Sequence, residues 1–209
     1  MVSDSSLGEL LFLPGKSNGQ FGSAQEVPSL RGISELHSIR VGKKRRPSLL
    51  ILSREEEALG LASFDKKGLF SFPEMIPTKG SPLLAVSTDC DSDGVEKILV
   101  VTEIDSDFFL ETWNLDQNGT PEKLNEHELK DWRREPVGLF PCYLNQDKVI
   151  DLFVLSGREA PTLLLGDSSG SWKEVAKNSV VRKSFLKGAG ANRLGCLLYT
   201  SPSPRDRSI

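Results

Sequence analysis

Asp65-Lys66-Lys67-Gly68, Asp116-Gln117-Asn118-Gly119 and Asp167-Ser168-Ser169-Gly170 are three copies of one tetrad, Asp-x-x-Gly, standing 51 residues apart. Asp or Asn ahead of Gly supplies the positive φ of a tight connection, so each copy reads as the turn of a β-hairpin. Apolar runs flank every copy in the same order. Upstream lie Leu49-Leu50-Ile51-Leu52, Ile98-Leu99-Val100-Val101 and Leu152-Phe153-Val154-Leu155, which begin 49 and 54 residues apart. Such runs are expected of strands buried on both faces. Between run and tetrad sits a second strand: Leu59 to Phe64, then Phe109 to Trp113, then Thr162 to Leu165. Phe70 and Trp172 return to the core after the first and third turns, with Thr120-Pro121 in that place in the middle copy. A partial earlier copy runs through Leu10-Leu11-Phe12-Leu13 and Asn18-Gly19-Gln20-Phe21, where Lys16 stands for the Asp.

A period near 50 residues built from short strands predicts an all-β array, either propeller blades or a β-solenoid; read as blades, the units make a partial β-propeller of about three to four. The approximate units are 1–46, 47–95, 96–148 and 149–195. Complete propellers carry about four to eight blades, so the chain reads as an incomplete one. Residues 196–209, Cys-Leu-Leu-Tyr-Thr-Ser-Pro-Ser-Pro-Arg-Asp-Arg-Ser-Ile, resemble the translated read-through of a sequencing adapter and read as a non-native tail. The next loop of the repeat falls due where that tail starts, near residue 194, so the native chain is expected to continue.

Net charge is −3 with both signs mixed, which gives no general attraction to nucleic acid or to an anionic membrane. The basic run Lys43-Lys44-Arg45-Arg46 reads as a solvated loop. No apolar stretch approaches the ~18 residues of a membrane-spanning helix. Met1-Val2-Ser3-Asp4 has neither the basic nor the apolar region of a signal peptide. Cys90, Cys142 and Cys196 are too few for a disulfide framework; Cys90 and Cys142 lie at related places and read either as a bridge or as two buried thiols. Two histidines and no close thiol pair leave zinc without a ligand set.

The chemistry is concentrated in Asp89-Cys90-Asp91-Ser92-Asp93-Gly94, just before the run at Ile98. Carboxylates at alternate loop positions converge their oxygens on one hard cation, and Gly permits the sharp turn that brings them round, so Asp89, Asp91 and Asp93 are candidate calcium ligands. The polar alternative is a turn whose Asp side chains cap local N–H groups. A second, half-preserved loop contains Asn145, Asp147 and Asp151 as weaker candidates, with Tyr143 at its first position and Lys148 in place of Gly. The corresponding segment from Arg40 to Ser48 is basic and is expected to hold no calcium.

Loop, apolar strand and Gly-turn hairpin at this period together resemble the FG-GAP/VCBS repeat family of β-propellers, whose blades also form integrin α-subunit heads. The resemblance covers Leu10 to about Gly195 and is moderately specific. It implies calcium near the inter-strand turn, a binding or structural role through loops toward a protein or carbohydrate partner, and an exported or cell-surface setting. The pattern departs at Lys97, which stands where the family carries its last Asp; its ammonium could reach solvent or fill the cation site itself, and Glu96 could substitute. No nucleophile elbow, catalytic His arrangement or phosphate-binding Gly loop is present, so the chain reads as non-catalytic. The enzyme alternative is a propeller hydrolase or lyase with its active site outside this stretch.

Three other features have a plain reading beside a sharper one. Asn118-Gly119-Thr120 matches a glycosylation acceptor but sits on the hairpin turn. Glu55-Glu56-Glu57 reads as charges on a turn. Glu126 to Glu135 reads as a short amphipathic helix or as an outer strand with its connection, with Trp132 as a rim contact or an edge cover.

Overall fold

The computed structural model describes residues 2–4, 8–42, 45–64, 68–130, 132, 134–156 and 161–176. The tetrad residues 65–67 and the tail 196–209 lie outside them. The chain divides into two compact units, Met1–Lys173 and Glu174–Ile209, and only residues 174–176 of the second are described.

Every regular element among the described residues is a strand, so the chain is all-β. A first sheet contains β1 (Val2–Asp4), β2 (Glu9–Phe12) and β3 (Gln25–Pro28). A second contains β4 (Ile33–Val41), β5 (Arg46–Ser53), β6 (Ala58–Ser63) and β7 (Glu74–Ile76). A third contains β8 (Ser81–Thr88), β9 (Lys97–Ile104), β10 (Asp107–Leu115) and β11 (Pro121–Glu128). A fourth contains β12 (Pro136–Cys142), β13 (Asp151–Ser156), β14 (Thr162–Gly166) and β15 (Trp172–Glu174). In each sheet, strands that follow one another in the chain are neighbours, and their described pairings are antiparallel.

The three apolar runs are the interior strands β5, β9 and β13, as their two-sided patterning predicts. Alternate residues serve different cores. Leu50 and Leu52 of β5 meet Ile98 and Val100 of β9, together with Trp113 and Leu115 of β10. Leu99 and Val101, on the opposite face of β9, meet Leu152 and Val154 of β13, Leu164 and Trp172. Ile51 turns the other way, toward Leu10, Val27 and Leu30 beside the first sheet. One core therefore lies between each consecutive pair of sheets. Each fully buried Leu or Ile contributes about 1.5–3 kcal/mol by leaving water.

A second repeat is visible in the backbone. β4, β8 and β12 each carry a register shift, between Ile33 and Glu35, Pro82 and Leu84, and Pro136 and Gly138. The extra residues, Ser34, Leu83 and Val137, stand 49 and 54 residues apart, the same intervals as the apolar runs. These first strands also approach one another across the sheets, β4 beside β8 and β8 beside β12. The sheets begin at residues 33, 81 and 136, so units counted from the apolar run are the same period cut one strand later.

Among the described residues, the second and third tetrads form the hairpin turns they predict. Gly119 N–H donates to Asp116 O (3.1 Å) and Gly170 N–H to Asp167 O (2.9 Å), with φ of 98° and 72° at the two glycines. Asp116 Oδ1 also accepts from Asn118 N and Thr120 N, both at 2.8 Å, and these bonds, Thr120 first, hold its carboxyl below the usual range. The partial copy makes the same turn, Gly19 N–H donating to Lys16 O at 3.0 Å. Asn118 is thus accounted for by the turn. Residues 121–128 are an outer strand rather than a helix, exposed at every second position, as an edge strand requires. Trp132 is not a free rim residue: it is partly buried on the core of the third and fourth sheets, and its indole N–H donates to Thr162 Oγ1 at 3.1 Å.

Candidate functional site

In a four-stranded meander, the connection between the first and second strands and that between the third and fourth emerge at the same end. The loops 89–96 and 143–150 therefore share one face with the hairpin turns 116–120 and 167–171. Loops and turns on that face are tied to strands of the neighbouring sheets. Arg40 N–H donates to Glu96 Oε2 (3.1 Å), Asn125 Nδ2 to Gly170 O, and Arg46 to Gln117 O.

Asp89, Asp91 and Asp93 do converge, each offering an oxygen within 4.8 Å of the others. The cation among them is Lys97. Its Nζ donates to Asp93 Oδ2 (2.8 Å), Asp91 Oδ1 (3.1 Å) and Val95 O (3.2 Å), and the side chain is only 3% exposed. An ammonium has three N–H donors, and all three are used. Burial alone would lower the Lys97 pKa, but its bonds to Asp93 and Asp91 outweigh that and raise it. Burial likewise works to raise Asp93, and the bonds from Lys97 Nζ and Val95 N–H leave it below the ordinary carboxyl value. The loop also caps itself: Asp89 Oδ2 accepts from Gly94 N (3.0 Å) and Asp93 Oδ1 from Val95 N (2.7 Å). Glu96 is turned to Arg40 and takes no part. Of the two places open to Lys97, its ammonium takes the cation site, so a metal ion held by these three carboxylates would have to displace it.

The second loop brings its candidates together differently. Asn145 Nδ2 donates to Asp147 Oδ2 (2.8 Å), Asn145 Oδ1 accepts from Asp147 N (2.9 Å), and Asp147 Oδ1 accepts from Val149 N (2.9 Å). Lys148 keeps the left-handed backbone of the Gly it replaces, with φ of 67°. Asp151 is wholly buried and spends both oxygens on backbone, accepting from Leu144 N (2.6 Å) and Gly166 N (3.1 Å). It fastens the loop to the end of β14 and is held apart from the Asn145–Asp147 pair.

Strand register shows that Lys97 and Asp151 are the same position. Lys97 pairs with Thr88 and Asp151 with Cys142, each five residues beyond the register-shift residue; the second sheet has Ser48, paired with Ile39, at that place. All three are buried and polar. Ser48 satisfies itself on the hydroxyl of Ser63 at 3.0 Å, Lys97 on carboxylates and Asp151 on N–H groups. One buried polar position thus has three electrostatic solutions.

Cys90 and Cys142 are both unbridged, and burial pushes each thiol up to about 12. The sequence reading passed over two further residues. Glu111 of β10 is fully buried and accepts from Trp113 Nε1 (2.9 Å), Lys79 N (3.1 Å) and Lys123 Nζ (3.2 Å). A lone Glu inside an apolar strand, with Lys across the hairpin, was the available signal. Arg54, after β5, donates twice to Leu83 O (3.2 and 3.0 Å) and pairs with Glu135, joining three successive sheets. Of the glutamates beside it, Glu56 accepts from Arg31 N and Glu57 from Ser81 Oγ, both at 2.8 Å.

Beside the second loop, Tyr143, Asn145, Gln146 and Lys148 line an open recess of about 370 Å³. Tyr143 is 64% exposed within it. Among the described residues no helix is long and apolar enough to cross a membrane. No family model matches the chain, and no curated protein matches it.

Proposed function

We propose that the chain is a stretch of β-propeller of the FG-GAP/VCBS kind, about three to four blades, that acts as a non-catalytic binding or structural module. The observation that carries this reading is the double repeat at intervals of 49 and 54 residues, apolar strand and register shift together, in sheets whose first strands lie side by side. Blades packed in this way bury both faces of each interior strand and leave the turns free to vary. The partner, a protein or a carbohydrate, is met by the loop face that contains 89–96, 116–120, 143–150 and 167–171. An exposed aromatic ring beside amide and amine groups, as in the recess at Tyr143, offers a stacking surface with polar groups to orient a ligand.

The test is to pass the full chain over arrays of polysaccharides and extracellular proteins, and to assay every bound carbohydrate for cleavage. Retention that Tyr143→Ala weakens about tenfold or more, with the bound material left intact, is the expected result. Release of shortened sugars, or retention indifferent to every loop substitution, would contradict it.

A further inference from the structure

We propose that Lys97 is the permanent cation of the Asp89–Asp93 loop, so that the loop is ordered without metal, and that removing its ammonium opens a divalent-cation site at Asp89, Asp91 and Asp93. This inference is independent of what the loop face binds.

Three observations carry it. The first is geometric: Nζ lies against two of the carboxylates at 2.8 and 3.1 Å, with its third proton on Val95 O, which leaves no donor free and sets the ammonium where a bound cation would lie. The second is the state of the oxygens that Lys97 does not reach. Asp89 Oδ1 is shut off from solvent and has no hydrogen-bond partner. A buried carboxylate oxygen with nothing to accept is costly, and a larger ion with several coordination positions would use it. The third is the exchange of charge between sheets at one position. Where it holds the ammonium of Lys97, the preceding loop brings the carboxylates of Asp91 and Asp93 to it; where it holds the carboxylate of Asp151, the preceding loop brings the N–H group of Leu144 instead.

An ammonium fixed by the chain has a consequence that a bound ion lacks. Metal occupancy varies with the surrounding concentration, and stability varies with it. A lysine is always present. The loop and the edge of the third sheet that it closes are then equally ordered in a calcium-poor and a calcium-rich compartment.

The experiment compares the thermal midpoint of the full chain, as wild type and as Lys97→Met, in chelator and in about 10 mM calcium chloride, a concentration above the dissociation constants usual for extracellular calcium modules. Methionine keeps an apolar stem of similar length and removes the charge. The wild-type midpoint is expected to be the same in both solutions. Lys97→Met is expected to melt lower than wild type in chelator and to recover with calcium, its folding constant rising about tenfold for a site of about millimolar affinity. Lys97→Gln gives the same reading if the methionine variant does not fold in chelator, and folding of either variant only with calcium supports the proposal. A wild-type midpoint that rises with calcium would overturn it, as would variants that ignore calcium or fold under neither condition.

Discussion

Alanine at position 151 lowers stability by about 3 kcal/mol, because the N–H groups of Leu144 and Gly166 lose their acceptor together and one buried unsatisfied donor costs about 1–3 kcal/mol. Asp151 is fully buried and bonded to both, at 2.6 and 3.1 Å. Asparagine keeps one carbonyl oxygen but turns an NH2 group toward the other donor, and its loss is expected to be intermediate or larger. The measurement is urea unfolding of the three proteins with the slope compared, since an unchanged slope assigns the shift to the native state. An alanine variant within about 0.5 kcal/mol of wild type, the range of an ordinary surface change, would remove Asp151 as the fastening of the second loop.

Leu99→Ala is expected to cost about 3–5 kcal/mol, the range for a core leucine whose surroundings close only partly around the cavity. Leu99 is wholly buried on an interior strand, in the core shared by the third and fourth sheets, so the loss is felt by both. Leu124→Ala is the control. It stands on the edge strand β11 at 44% exposure and is expected to change stability by less than about 0.5 kcal/mol. Thermal or denaturant unfolding of the pair checks both values. Equal effects at the two positions would mean that the sheets do not share a core at β9.

Much of the fold is written in short stretches. Leu49–Leu52, Ile98–Val101 and Leu152–Leu155 announce interior strands because both faces are apolar, and Asp116 and Asp167 announce their turns because the tetrad contains its own hydrogen bonds. The first strand of each sheet is harder to read. β8 contains Pro82 and β12 contains Pro136 and Pro141, residues that argue against a central strand. At a sheet edge they cost nothing on the side without a ladder partner, and each strand adds a register shift that breaks its alternation. The cation loop was half legible. Alternating carboxylates predict convergence from local chain geometry alone, and Asp89, Asp91 and Asp93 converge. Which way Lys97 turns depends on how deeply β9 is buried between two sheets, and no local pattern contains that. Arg54 is illegible for the same reason, since Leu83 and Glu135 reach it only when three sheets pack.

The crystal structure of the full chain tests the blade arrangement most directly, through the rotation that superposes the second sheet on the third and the third on the fourth. Blades require nearly the same rotation at both steps about one axis, with β4, β8 and β12 nearest to it and the register shifts at Ser34, Leu83 and Val137 in equivalent places. Sheets related by translation, or by two unrelated rotations with the first strands far from any common axis, would contradict it.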